Sequence, residues 1–561
     1  MRELGVYAEV LPSDVPAVRL AGRRAIIISG GPASVYEPQS PKMDPEILSS
    51  GQAVLGICYG QQLMAHLLGG VVQPGTKGEY GLAMLDASPP GLLFRGAGGT
   101  QQVWMSHRDV VATVPDGFQV LATTGTCAIA AMGDAERRLY AVQFHPEVVH
   151  TRNGRQILSN FLFDICGCER DWDPSHRLPA IEQNIRDTVG NRSVFFFVSG
   201  GVDSTVAYTL CLRALGKDRV HGTYVDTGLM REGETAYVRN LFESLGSTDF
   251  RVDDAGVEFL TALAGVRDPE TKRHIIGEQF VKVQERILQS SHYLDGNWIL
   301  GQGTIYPDTI ESGGSAKADL IKTHHNRVAG IQRLIEGKAI VEPLSYFYKD
   351  EVREIGRELG LPEEFLERHP FPGPGLAIRC LCAAESAPVE QLGEGWFIPV
   401  KSVGVQGDCR TYRPILAIQG DSLYERSIRI TNQLTSVNRV VALVGSRAPM
   451  QSLSVHSSSL TAGRLARLRQ ADATVRRLSD ESGFEKQVWQ FPVVLIPVGT
   501  REAPDAVVLR PIDSVDGMTA QSVMMDSQLL RRITEDLLAV PGVCAVFYDL
   551  THKPPATIEW E

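Results

Sequence analysis

Long hydrophobic runs are absent from this chain. Its longest apolar stretches, among them Val194 to Val198 and Val493 to Val498, are strand-sized and fall far short of the roughly 20 residues a bilayer span requires. No membrane partner is expected. A basic surplus is absent as well: the net charge is −11 at pH 7, whereas a phosphate backbone needs a basic face. No nucleic-acid partner is expected, and any nucleotide must be held by local devices. Cysteines are few and scattered. Nine of them, an odd number spread over 561 residues, argue for reduced thiols rather than a disulfide framework. The close pairs Cys166/Cys168 and Cys380/Cys382 lack the two-residue gap and the His-x-His partner of a zinc site, so they read as packing. Arg2 and Glu3 precede any apolar stretch, a pattern of neither signal peptide nor lipidation site. Together these absences place the chain in the cytosol.

A chain of this length exceeds one hydrophobic core, and roughly three domains are the starting expectation. With 43% hydrophobic and 22% charged residues the composition is that of a soluble globular protein. The first segment sets short apolar runs before glycine-rich turns: Ala25 to Ile28 before Ser29-Gly30-Gly31-Pro32, Ala53 to Ile57 before Cys58, then Leu139 to Phe144. Runs of this kind separated by helix-length stretches predict a parallel, doubly wound sheet. A polar stretch around Cys166 to Pro174 reads as a linker. Beyond it, Val194 to Val198, Thr205 to Leu215 and Val220 to Val225 predict a strand-helix-strand unit. Ile276, Phe280, Val283 and Ile287 recur at helical spacing, as do Val352, Ile355 and Leu359, and His369 to Gly375 breaks regular structure. Strand runs at Val440 to Val444, Val493 to Val498 and Val543 to Tyr548, with a helix near Leu529 to Leu538, suggest a smaller α+β domain.

Two groups of residues carry chemistry. The apolar strand that runs into Gly56-Ile57-Cys58-Tyr59-Gly60 and then a helix has the layout of a nucleophile elbow, where small flanking residues permit a sharp turn. The helix N-terminus favours a thiolate there. His145 can protonate a leaving amine, and Glu147, two residues on in an extended backbone, can orient the imidazole. That is a Cys-His-Glu relay. Ser29-Gly30-Gly31-Pro32 either presents backbone N–H groups to an oxyanion or is a simple turn. The second group is Ser199-Gly200-Gly201-Val202-Asp203-Ser204, between a buried strand and a helix. Its backbone N–H groups can form an anion nest, its serines offer hydroxyls, and Asp203 can hold magnesium. It lacks the Gly-Lys-Ser/Thr ending of a Walker loop. Asp226, at the carboxyl end of the next strand, either meets the nucleotide or caps a helix.

The ordered set Ser-Gly-Gly-Pro, Gly-Ile-Cys-Tyr-Gly-Gln-Gln and Phe-His-Pro-Glu resembles the class I glutamine amidotransferase family. The resemblance implies glutamine hydrolysis through a thioester on Cys58, with Gly30 and Tyr59 at the oxyanion. In that family a first strand and most of a helix precede the position of Met1, and Met1 to Leu4 looks like the middle of that helix. The sheet is therefore expected to lack a strand. The Ser199 to Ser204 loop resembles that of ligases splitting ATP into AMP and pyrophosphate. Gly301 to Asp308, Ile321 to Asn326, Arg368 to Gly375 and Lys553 to Glu561 resemble the GMP synthetase family. That resemblance implies a doubly wound amidotransferase domain over residues 1–168, a Rossmann-like ATP-pyrophosphatase domain over 169–379 and a C-terminal α+β dimerisation domain over 380–561. It also implies magnesium-ATP, a homodimer, and contacts to XMP from Arg273, Asp408, Gln490, Lys553, Ile558 and Glu559. Two other readings stand beside it: an ammonia-dependent XMP aminase with an impaired glutaminase, and a non-catalytic nucleotide-binding scaffold.

Overall fold

A computed structural model describes the chain except residues 32, 89–90, 149, 174–176, 314–328, 338, 407–408, 435, 515–519 and 554. The chain forms two compact units, Met1–Asp173 and Pro174–Glu561. None of the helices among the described residues is long and apolar enough to cross a membrane.

In the first unit the strands are β1 (Ala25–Ile28), β2 (Ala53–Ile57), β3 (Val71–Ala87), β4 (Gly99–Thr113), β5 (Gln119–Thr124), β6 (Ala131–Asp134) and β7 (Leu139–Val142), and helix α1 (Tyr59–Leu67) follows β2. They order as β1-β2-β7-β6-β5-β3-β4. Only β1, β2 and β7 run parallel; from β6 onward the pairing is antiparallel, so the sheet is mixed rather than wholly parallel. Every residue of β2 is buried, as expected for an unbroken apolar run in a strand covered on both faces. The β2 end thus opens from the middle of a packed core that includes Leu55, Val142, Phe144 and Phe161.

In the second unit a five-stranded parallel sheet is built from β8 (Ser193–Val198), β9 (Val220–Asp226), β10 (Phe250–Asp254), β11 (Trp298–Gly301) and β12 (Ile340–Val341), in the order β10-β9-β8-β11-β12. Helix α2 (Val202–Leu215) leaves the end of the central β8, α3 (Glu234–Ser244) follows β9, and α4 (Pro269–Ser290) carries the Ile276 stripe; α5 (Lys349–Glu358) carries Val352 and Ile355. A seven-stranded mixed sheet follows: β13 (Glu390–Leu392), β14 (Gly395–Gln406), β15 (Cys409–Ile418), β16 (Arg439–Ser446), β17 (Val493–Ile496), β18 (Asp505–Leu509) and β19 (Val543–Asp549), ordered β13-β14-β15-β16-β19-β18-β17. Helices α6 (Ala462–Glu481) and α7 (Ser527–Ala539) pack on it. One apolar cluster runs from Phe195, Leu300 and Ile276 through Leu376 to Leu416, Val440, Leu468 and Val507, joining the two sheets into one body.

Asp549, Glu559, Trp560 and Glu561 are held there by buried charge. Asp549 Oδ2 accepts from Arg439 (2.9 Å), Arg510 (2.8 Å) and the Trp560 indole (3.0 Å), and all four residues are fully buried. Arg379 grips both carboxylate oxygens of Glu559 at 2.7 and 3.0 Å, and Lys272 meets Glu561 at 2.6 Å. Burial pushes the Glu561 carboxyl up to about 7, against the pull of Lys272.

Candidate active sites

Cys58 sits at the bend between β2 and α1 with φ +52° and ψ −106°, a left-handed backbone that only four non-glycine residues adopt among those described. Such strain costs on the order of 1–3 kcal/mol and persists because its neighbours enforce it. A Cβ on Gly56 would come within 2.7 Å of the Gly60 backbone and of Met64 Sδ, and a Cβ on Gly60 would strike the Ile28 carbonyl. Glycine at both positions is therefore a packing requirement of the elbow. The Cys58 N–H donates to the Val142 carbonyl at 2.8 Å, and its Sγ lies 3.6 Å from the Ser106 carbonyl.

His145 and Glu147 come together, although by a different route from the one expected. Strand β7 stops at Val142; the chain then bends, and His145 to Glu147 lies in a turn rather than an extended run. The turn is held by His145 N–H to the Trp104 carbonyl (3.0 Å) and by Thr151 Oγ1 to the His145 carbonyl (2.6 Å). Within it, His145 Nδ1 and Glu147 Oε1 are 2.6 Å apart. The Cys58 side chain, then Glu147, raise the imidazole pKa from 6.5 to about 10, although Nε2, the ring nitrogen that Glu147 leaves open, is buried without a hydrogen-bond partner among the described residues. Gly30 closes the third side: a Cβ there would lie 3.2 Å from His145 Cε1 and 3.4 Å from Cys58 Cβ. Among the described residues no backbone–backbone bond of a turn or loop engages the N–H of Gly30 or Tyr59. Pro32, which ends the Ser29 motif, lies outside the described residues. Ser34 Oγ donates to Asp109 Oδ2 (2.6 Å), and Gln62 of α1 donates to the Asp109 carbonyl (2.8 Å), tying the Gly30 loop, β4 and α1 together.

In the second unit α2 begins at Val202, three residues before the expected start, so Val202, Asp203 and Ser204 form its first turn and Ser199 to Gly201 the loop before it. Gly200 has φ +76°. Ser199 Oγ is 3.0 Å from Ser204 Oγ and accepts from the Gly201 N–H. A Cβ on Gly303 would reach within 2.8 Å of the Ser204 backbone, which places the Gly301-Gln302-Gly303 segment on this turn. Asp203 Oδ2 takes a 2.7 Å bond from Lys349 Nζ, while Oδ1 is buried without a partner among the described residues. Lys349 went unseen in the sequence. The available signal is its place at the first position of α5, where a cation opposes the helix dipole. Asp226 caps no helix, since α3 starts only at Glu234; its carboxylate accepts from the Gly228 N–H (2.9 Å) and the Thr235 hydroxyl (2.6 Å).

The residues expected at XMP are partly gathered. Gln490 donates to the Pro370 carbonyl at 2.8 Å, the next residue, Phe371, lies under the Arg379 guanidinium, and Arg379 holds Glu559. Arg273 donates to the Glu561 carbonyl, and its Nε is buried and unpartnered among the described residues. Ile558 gives its carbonyl to Arg510 (3.1 Å). Lys553 is placed by backbone bonds to Ala520 in both directions. Asp408 and the Ile321 to Asn326 motif lie outside the described residues.

A strained thiol with an imidazole–carboxylate partner on one unit, and a glycine turn leading into a helix on the other, define a glutamine amidotransferase joined to a nucleotide-binding synthetase module. Three family models match in order: glutamine amidotransferase class-I over residues 1–165, NAD synthase over 176–264 and GMP synthase C terminal domain over 478–560. Among curated relatives, a probable GMP synthase [glutamine-hydrolyzing] of Leptospira interrogans is 39% identical, covering 100% of this chain and 96% of that protein. GMP synthases of Caldicellulosiruptor saccharolyticus (39%, 96% of that protein) and Thermomicrobium roseum (40%, 93%) also match over the whole chain. The chain belongs to the glutamine-hydrolysing GMP synthase family.

Proposed function

We propose that the chain makes GMP from XMP, drawing nitrogen from glutamine at Cys58 and activating XMP with ATP at the Ser199 to Ser204 turn. The observation that supports this reading is that one chain carries both a Cys58–His145–Glu147 group and a glycine turn entering a helix at Ser199 to Ser204. At the first, Cys58 Sγ attacks the glutamine carboxamide, the Gly30 and Tyr59 N–H groups receive the oxyanion, and His145, kept charged by its neighbours, supplies the proton taken by departing ammonia. Water then releases glutamate from the thioester. At the second, Ser199, Gly200, Gly201, Val202 and Ser204 cradle phosphate at the start of α2, and Asp226 stands at the carboxyl end of β9. The C2 oxygen of XMP attacks the α-phosphate, pyrophosphate departs, and ammonia displaces AMP.

Magnesium fits the donor set, because Asp203 presents a buried carboxylate oxygen without a partner among the described residues. When bound there it would neutralise charge on the leaving pyrophosphate. Lys349, already on the other oxygen of Asp203, places a second positive charge beside the turn. Arg273, Asp408, Gln490, Lys553, Ile558 and Glu559 are assigned to XMP, with Lys553 facing its phosphate. Residues 1–168 supply ammonia, 169–379 adenylate, and 380–561 complete the XMP site and form a homodimer in the cytosol.

The test is pyrophosphate release by purified protein with ATP and magnesium, with and without XMP, on glutamine and then on ammonium. Release that requires XMP and runs on either nitrogen source is expected. Cys58→Ala is expected to abolish the glutamine-driven reaction and spare the ammonium-driven one. Release on ammonium alone in the unaltered protein would retire the glutaminase assignment, and no release at all would retire the synthetase.

A further inference from the structure

A second group of potential ligands lies in the first unit, apart from the Cys58 relay. Glu79 on β3 and His107 on β4 are directly opposed cross-strand partners. The loop between β5 and β6 brings Cys127 to them, folded by Thr124 N–H to the Cys127 carbonyl (2.8 Å) and by Cys127 N–H to Thr124 Oγ1 (2.9 Å). One ligand atom from each of the three residues lies within 4.8 Å of the other two, and His107 and Cys127 are buried.

The hydrogen bonds of His107 leave something to be supplied. Its Nδ1 lies 3.1 Å from the Asp109 carbonyl, and a carbonyl only accepts, so the ring proton belongs on Nδ1. Nε2 then turns its lone pair toward Glu79 Oε2, 3.1 Å away, an acceptor facing an acceptor. A positive species has to sit between them, either a second proton or a metal ion. The surroundings are those of a metal centre. A ligating imidazole characteristically gives its other N–H to a backbone carbonyl, as His107 does. Glu79 is oriented through its second oxygen by the hydroxyls of Thr124 (3.1 Å) and Thr126. Cys127 adds a thiol where a proton alone would need none.

We propose that Glu79, His107 and Cys127 bind one thiophilic divalent cation of the zinc class, with a fourth position left for water. Tetrahedral zinc with these donors sets ligand atoms about 3.5 Å apart, so the Glu79–His107 pair, now at 3.1 Å, opens slightly while Cys127 moves in by no more than about 1 Å. Binding displaces the Cys127 thiol proton to solvent. Because His107 follows Ser106, whose carbonyl meets the Cys58 sulfur, the cation would also stiffen the stretch of β4 beside the nucleophile.

The test uses the full chain carrying Cys58→Ser, which removes the competing thiol of the relay. Zinc retained after desalting is measured as molar equivalents, and cobalt is added separately to look for its thiolate charge-transfer band. One equivalent and a clear band are expected, with both lost on adding Cys127→Ala or His107→Asn. Absence of retained zinc and of the band in the Cys58→Ser protein overturns the proposal without recourse to further variants and assigns Nε2 a second proton. Retention unchanged by Cys127→Ala and by His107→Asn overturns it equally.

Discussion

The pKa of His145 is raised by two neighbours of different kinds, the Cys58 side chain that reacts and the Glu147 carboxylate that both orients and charges the ring. Its folded-state pKa of about 10 exceeds the ordinary 6.5. The stabilisation this represents is therefore complete below about 6.5 and is lost as pH rises through about 10. Replacing Glu147 with Gln removes the second cause and keeps the shape. The alkaline limb of glutamine hydrolysis should then move to lower pH while ammonium-driven synthesis keeps its profile. Rate–pH curves of the two proteins decide it, and superimposable alkaline limbs would deny Glu147 its role. At the same scale, Gly60 admits no side chain because of the Ile28 carbonyl. Gly60→Ala is expected to cost about 1–3 kcal/mol in overpacking, read as a lower urea midpoint, together with loss of glutaminase.

Single elements account for what was readable beforehand. Strands β1 and β2 are bounded as their apolar runs suggested, since a fully buried strand and a glycine turn leave a local record in composition. The Cys58 elbow was legible for the same reason: its steric demands fall on residues two places away. His145 and Glu147 were found by their types, although the strand argument for their pairing failed, because a turn after Val142 makes the contact. Lys349 was missed because it meets Asp203 across 146 residues of sequence, and no local pattern encodes such an approach. The same applies to Glu79, His107 and Cys127, which only the β3–β4 register and a loop bring together. For α5 the consequence is testable. Lys349→Met should reduce XMP-dependent pyrophosphate release on the order of 100-fold or more, as for loss of one preorganised charge-stabilising group. It should leave the unfolding midpoint unchanged or slightly raised, since a cation at a helix start is unfavourable by about 0.3–1 kcal/mol. Full activity with normal stability would make the Lys349–Asp203 pair a surface contact only.

Across the whole second unit, Asp549 is the junction of two buried guanidiniums and an indole. Removing one partner from a buried charged group leaves the others uncompensated, at about 3–5 kcal/mol. Asp549→Ala is expected to lower urea stability by that amount and to loosen residues 557–561, whose carbonyls Arg439 and Arg510 also hold. Hydrogen exchange over that segment, compared between the two proteins, checks the second part. Protection unchanged there would show the tail to be held by packing alone.

The span of those contacts along the chain bears on how the protein comes into being at the ribosome. Lys272 waits for Glu561, 289 residues later, and Arg379 for Glu559, 180 residues later. At about 5–20 residues per second, the lysine emerges roughly 15–60 seconds before its carboxylate exists. A lone ammonium is too costly to bury, so α4 cannot seat itself fully against its neighbours during that interval. In the first unit the bonds around Cys58, His145 and Asp109 close within Met1–Asp173, so that unit can mature while translation continues, whereas the second closes only when its final strand and tail arrive.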